Sequence, residues 1–166
     1  TIEESIFWKK INKRLEEIHN DYYIYILKSG LKKVKEIFGN EKIPFHFCHG
    51  DFTPWNMKIV NNKLYIFDWE YADEEGLPGY DLFHFLFQTF WLLKKYSPGK
   101  IHRVFNKDQI SFNWIIKYFD IVQINIKFIK PLYLLYLVER LSFYSSEAPE
   151  DFPKLQYFSA LVNLIL

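Results

Sequence analysis

The stretch His49-Gly50-Asp51-Phe52-Thr53-Pro54-Trp55-Asn56, with Asp68 twelve positions further on inside Leu64-Tyr65-Ile66-Phe67-Asp68-Trp69-Glu70, decides how the rest of the chain is read. Before it, Phe45-His46-Phe47-Cys48 has the composition of a short half-buried strand, and Gly50 permits the turn that ends it. Met57-Lys58-Ile59-Val60 and Leu64-Tyr65-Ile66-Phe67 are two largely apolar runs joined by Asn61-Asn62-Lys63, residues that tolerate left-handed backbone. This spacing predicts a β-hairpin. A hairpin returns its far end to its start, which sets Asp68 beside Asn56.

That convergence has chemical meaning. Two oxygen-bearing side chains at the ends of a hairpin, completed by nucleotide phosphate oxygens and water, suit the near-octahedral oxygen shell of magnesium. Asp51, five positions before Asn56, stays free to accept a proton from a substrate hydroxyl. A His-Gly-Asp triplet alone is weak evidence. Combined with Asn56, a hairpin, an apolar strand ending Asp-Trp-Glu and the later Gly79-Tyr80-Asp81-Leu82, it is specific.

Over residues 44–90 this combination resembles the aminoglycoside phosphotransferase and choline kinase-like superfamily, distant relatives of the protein kinases, which use a loop Asp, an Asn and a metal-binding Asp in the same order. The resemblance implies Asp51 as catalytic base, and Asn56 and Asp68 as ligands of Mg2+ carried with ATP or another nucleoside triphosphate. It makes His49 a structural brace of the loop, and Asp81 a support residue that starts a buried helix and hydrogen-bonds the loop backbone. The implied reaction is transfer of the γ-phosphoryl group to a hydroxyl of a small molecule. Family acceptors include antibiotics, choline, ethanolamine, sugars and amino-acid derivatives, and the sequence does not choose among them. Trp55, between the base and the metal Asn, is a candidate to line the acceptor pocket or to wedge the loop against the core. Glu70, with Asp73, Glu74 and Glu75, is a candidate for binding a cationic acceptor, although a solvated loop explains these charges more simply.

The implied fold is α+β: a predominantly helical C-terminal lobe of a protein-kinase-like fold, with a small β-hairpin platform carrying the catalytic loop. Residues 1–166 fit one domain. The family's N-terminal lobe, with its Gly-rich strand-turn-strand and phosphate-pairing strand Lys, has no counterpart here. None of Gly30, Gly39, Gly50, Gly76, Gly79 and Gly99 forms a G-x-G, and residues 1–43 read as helices. The expectation is a catalytic lobe separated from its nucleotide lobe and nearly inactive alone. Two other readings are a non-catalytic ligand- or partner-binding module and, less favoured, a metal-dependent hydrolase using His49, Asp51, Asp68 and His84. On residue type and position alone, His84 reads as a packing residue.

Composition narrows the remainder. At 49% hydrophobic and 20% aromatic the chain has the material for a dense core. A net charge of +1 gives no electrostatic reason to expect a nucleic-acid partner. The single cysteine, Cys48, excludes an internal disulfide and fits a reducing, cytoplasmic setting. No apolar run is long enough for a transmembrane span; the longest candidate is residues 131–138.

Along the chain, Trp8, Ile11, Leu15, Ile18, Tyr22 and Tyr25, then Ile24, Leu27, Leu31, Val34 and Phe38, recur at helical spacing. One long helix or two broken near Asn20-Asp21 would fit, stopped at Gly39-Asn40. Residues 45–69 are the only expected β material. Residues 82–96 read as a buried helix stopped at Ser97-Pro98-Gly99, residues 109–129 as another, and Pro131 and Pro153 as the first turns of two more.

Overall fold

The computed structural model describes residues 1–104 and 110–166, and it is a helical body with two small antiparallel sheets on one side. Two helices open the chain: α1 (Ile6–Glu17), capped by Ser5 Oγ accepting from Trp8 N, and α2 (Asp21–Phe38), capped by Asn20 Oδ1 accepting from Tyr22 N. The N-cap resolves the question of one helix or two. Asn20 leaves the helical conformation to satisfy free N–H groups of α2, so the chain breaks there. It also changes which face is buried. Tyr22 and Tyr25 of the continuous stripe point to solvent, while Ile26, Leu27, Leu31, Val34 and Phe38 enter the core.

The strands follow: β1 (His46–Cys48), β2 (Met57–Val60), β3 (Lys63–Ile66) and β4 (Asp73–Gly76). Strands β2 and β3 pair from Met57↔Ile66 to Val60↔Lys63, and the two residues between them, Asn61 and Asn62, both have positive φ. This is the two-residue turn whose twist matches a hairpin. The acidic segment departs from expectation. Asp73–Gly76 is not a free loop; it pairs antiparallel with β1, with His46 opposite Gly76 and Cys48 opposite Asp73. Its low strand propensity conceals this, because the pairing depends on Gly76 having no Cβ to collide with Cys48. Glu74 and Glu75 meanwhile keep their charges in water.

Helix α3 (Tyr80–Gln88) is shorter than the stretch 82–96 and continues as a π-turn over Thr89–Leu93. Pro98 begins a helix, α4 (Pro98–Val104), where a stop was expected, because a residue without N–H and with fixed φ suits a first turn. Next come α5 (Ile110–Ile121), a 3₁₀ turn at Ile126–Phe128, α6 (Ile129–Glu147) with Pro131 in its first turn, and α7 (Phe152–Asn163) with Pro153 likewise. Position 109, where the helix expected over residues 109–129 begins, lies outside the described residues.

Helix α6 is the axis of the core. Leu132, Leu134, Leu135, Tyr136, Leu137, Val138 and Leu141 are all buried, and α1, α2, α3 and α7 pack around them. The approach to α2 is close enough that a Cβ on Gly30 would lie 2.6 Å from Val138 Cγ2. Each leucine so enclosed contributes roughly 1.5–3 kcal/mol. No helix among the described residues is long and apolar enough to cross a membrane. The hairpin is the opposite of this axis. Ile59, Val60, Leu64, Tyr65 and Phe67 are exposed on it.

Candidate active site

Gly50 to Asn56 form a loop held from three sides. From below, the Asp81 carboxylate accepts from His49 N–H at 2.7 Å and Gly50 N–H at 3.0 Å, locking the turn that Gly50 makes at φ +81°. No other residue fits there, because a Cβ would also strike the Tyr71 carbonyl. From the side, the buried His49 ring joins the loop to the hairpin's far end. Its Nε2–H donates to Phe67 O at 2.9 Å, and its Nδ1 accepts from Asp51 N–H at 3.3 Å. Trp69 covers the same ring, centroid to centroid 4.5 Å.

The third hold is Asn56, at the end of a 3₁₀ turn started by Pro54. Its Nδ2 donates to Asp51 O at 3.0 Å and Asp51 Oδ2 at 2.8 Å, and its backbone carbonyl accepts from Phe67 N–H at 3.1 Å. The amide nitrogen is thus committed to Asp51, and the side-chain oxygen has no hydrogen-bond partner among the described residues. Asp68 follows Phe67 directly, with φ +68°, and its exposed carboxylate likewise has no hydrogen bond among the described residues. Asp51, Asn56, His49 and Asp81 are therefore in direct contact. Asp68 joins them through the Phe67 backbone. Trp55 is 45% exposed and Glu70 is exposed, and neither bonds to Asp51.

One contact lies outside that set. His84 Nε2 is 3.0 Å from Asp51 Oδ1, and His84 is only 2% exposed. Its other nitrogen lies 3.1 Å from the Tyr136 hydroxyl. The signal was in the sequence as a stripe: Asp81, His84 and Gln88 stand at i, i+3 and i+7 on an otherwise apolar helix, hence on one face.

The electrostatics follow from these contacts. The His84 hydrogen bond, opposed by burial and helped by Asn56 and Arg140, holds Asp51 below the usual carboxylate range. Burial holds His84 below its ordinary value of 6.5, ahead of the opposing effect of Asp51, so near neutrality the pair is a carboxylate and a neutral imidazole. Burial, then Asp81 and Asp73, push the Cys48 thiol up to about 12, which removes it as a nucleophile.

A pH effect on stability follows. The unfolded chain protonates its histidine below about 6.5, whereas the folded chain resists until a lower pH. The His84 contribution is therefore complete above 6.5 and lost as pH falls from there towards the folded value. The Asp51 contribution, whose folded pKa is depressed, is lost only at lower pH, below 3.8. Urea unfolding of wild type and His84→Gln should give a stability difference that shifts against wild type as pH drops below 6.5. A constant difference would contradict a buried neutral ring.

The comparisons meet this geometry in the same segment. The model of the phosphotransferase enzyme family matches residues 26–109, just over half the chain and including the whole loop, hairpin and α3. The chain belongs to the phosphotransferase enzyme family. No curated protein and no solved structure gives a significant match. For a phosphotransferase-family lobe the donor set is informative. Among the described residues no group of three or more His, Cys, Asp or Glu side chains is arranged to hold a metal ion. Both rings of the hydrolase set, His49 and His84, already have partners at both nitrogens. Asn56 and Asp68 each keep a side-chain oxygen without a hydrogen-bond partner among the described residues, the donor type that a hard cation takes.

Proposed function

We propose that this chain is the catalytic lobe of a small-molecule kinase that transfers the γ-phosphoryl group of ATP or another nucleoside triphosphate to a hydroxyl. The observation that carries the reading is Asn56, whose amide nitrogen holds Asp51 by side chain and backbone while its backbone carbonyl takes Phe67 N–H. Base, carboxamide oxygen and Asp68 are thereby gathered on one small loop–hairpin unit. Asp51 orients the acceptor hydroxyl and takes its proton. A depressed pKa suits that task, because in a loose phosphoryl-transfer transition state the proton leaves late and positioning dominates. Asn56 and Asp68 hold Mg2+, which when bound neutralises charge on the phosphates. His49 and Asp81 keep the loop in shape, and the exposed Trp55 and Glu70 stand where an acceptor would meet protein.

The nucleotide lobe lies outside these 166 residues. In support, the chain contains no G-x-G, and the hairpin exposes apolar side chains on both of its faces, Ile59 and Leu64 on one, Val60 and Tyr65 on the other. The lobe alone is then inactive, and a reducing, cytoplasmic setting fits the lone buried Cys48.

Calorimetry with ATP and MgCl2 tests the proposal, on this chain and on the protein with its native upstream sequence. The longer protein should bind ATP in a magnesium-dependent way and the 166-residue chain should not. Asn56→Ala and Asp68→Ala should each weaken that binding by about tenfold, or ~1.4 kcal/mol. Binding by neither form would remove phosphoryl transfer and favour a ligand-binding module.

A further inference from the structure

Asp51 has one partner that the scheme above does not use. The chain presents His84 to the base from α3, and three features of that contact need a common explanation. His84 is buried, both its ring nitrogens meet polar atoms, and Tyr80 lies nearly parallel to its ring, with planes 10° apart and centroids 6.0 Å apart.

The hydrogen positions can be assigned by elimination. Asp51 Oδ1 is an acceptor, so the nitrogen 3.0 Å from it must carry the proton; a bare nitrogen there would set two lone pairs against each other. With Nε2 as donor, Nδ1 is an acceptor, and the Tyr136 hydroxyl 3.1 Å away donates to it. Tyr136 is fully buried, and burial raises its pKa well above the ordinary value, so its proton stays in place. Gln88 completes the set. Its amide nitrogen is placed 3.2 Å from Nε2, donor facing donor once Nε2 carries the proton, and exchanging the two ends of the amide sets the oxygen there to accept from the same N–H.

We propose that His84 is a positioning residue for Asp51, its imidazole braced by Tyr136 and donating from Nε2 to fix the plane of the carboxylate. The inference rests on the kinase reading of Asp51, which it deepens. The Asp51 side chain is 30% exposed, and Asn56 alone grips one oxygen, Oδ2. A carboxylate held by one oxygen turns about its terminal torsion, which is broad and soft. Held by both, it has one orientation. The second grip comes from α6 through Tyr136, the most buried element of the fold, so the base is anchored to the core and not only to its own loop. A displacement of about 1 Å at a reacting group costs on the order of 10²-fold in rate.

The test uses two replacements. His84→Gln retains an N–H near Nε2, and His84→Leu keeps the volume without the donor. In the 15N-labelled wild-type chain, long-range proton–nitrogen spectra should show His84 as the Nε2–H tautomer. The Asn56 side-chain amide, which donates to Asp51, should be protected from exchange. His84→Leu should speed that exchange about tenfold, an effect of ~1.4 kcal/mol, and His84→Gln should restore most of the protection. In the protein carrying its nucleotide lobe, with ATP and a hydroxyl acceptor from a screen, His84→Leu should lower kcat by about 10- to 100-fold with KM for ATP within about twofold. His84→Gln should recover most of that loss. If His84→Leu does not fold, Tyr136→Phe removes the brace while keeping the ring, and should move the same amide signal in the same direction. An Nδ1–H tautomer, or an Asn56 amide indifferent to these changes, overturns the positioning role and leaves the kinase reading standing. Failure of magnesium-dependent ATP binding with the amide pattern intact does the reverse.

Discussion

Asp51→Asn, in the protein with its nucleotide lobe in place, is expected to lower kcat for phosphoryl transfer by about 10²- to 10⁴-fold, the usual contribution of a positioned acid–base group. The substitution changes little else. The carboxamide it introduces keeps an oxygen that can accept from His84 Nε2, at the 3.0 Å of the native pair, and loses the acceptor that Asn56 Nδ2 reaches at 2.8 Å. The backbone holds of Asp81 on His49 and Gly50 do not involve the Asp51 side chain at all. The loop therefore stays folded, and KM for ATP should move by no more than about threefold, since uniform binding is untouched. What disappears is a group that can take the hydroxyl proton. Initial rates with labelled ATP and a screened acceptor would measure this. A rate close to wild type would remove Asp51 from the chemistry and, with it, the reason to read Asn56 and Asp68 as its metal partners. A pH–rate profile adds an independent check. Because His84 holds Asp51 below the usual carboxylate range, the acidic limb should lie below that range as well.

How far the sequence carried the fold can be judged element by element. The hairpin was legible because two adjacent asparagines between apolar runs have few other uses, and both do adopt positive φ. The buried character of α3 was legible from residues 82–96, apolar nearly all round, and Phe83, Leu86 and Phe87 are indeed buried. Strand β4 was not, because Asp73, Glu74 and Glu75 have poor strand propensity and their pairing with β1 rests on a tertiary fit of Gly76 against Cys48. Pro98 was misread as a stop because the same residue suits a first turn equally well. In the candidate site, the return of the hairpin's far end to Asn56 could be anticipated from local spacing, and Phe67 N–H does bond to Asn56 O. His84 could not be placed so easily. Its partner is 33 residues away in the chain, and its brace Tyr136 lies on another helix, so no local pattern states either contact.

The largest expected loss of stability lies away from the loop, at Glu139. This carboxylate is 5% exposed and is the hub of a buried charge network. Oε1 accepts from Arg14 Nη1 at 2.7 Å, Oε2 accepts from the Tyr80 hydroxyl at 3.1 Å, and Arg140 Nη1 lies 3.9 Å from Oε2. Glu139→Gln keeps the shape and removes the charge, which leaves the buried Arg14 with only Glu147, itself half-exposed on Arg14 Nε, and takes away the carboxylate 3.9 Å from the half-buried Arg140. Breaking a buried pair in this way costs about 3–5 kcal/mol. At about 2–4 °C per kcal/mol for a domain of this size, the melting temperature should fall by roughly 6–20 °C. Arg14→Met should cost less, because Glu139 retains Arg140 and Tyr80 while Glu147 turns to water. In the double variant the two losses should fall short of additive, since the residues share one network. Urea and thermal unfolding would measure all three. Equal costs for the two single variants would mean that Arg140 does not share the charge of Glu139. The effect should also reach the site, because Tyr80 links the network to the loop. Its hydroxyl bridges Glu139 and Arg140, its ring lies against His84, and it opens the helix whose Asp81 and His84 hold Asp51 and its loop. Loosening Glu139 should therefore speed exchange of the His49 and Gly50 amides, which Asp81 protects, before the molecule unfolds.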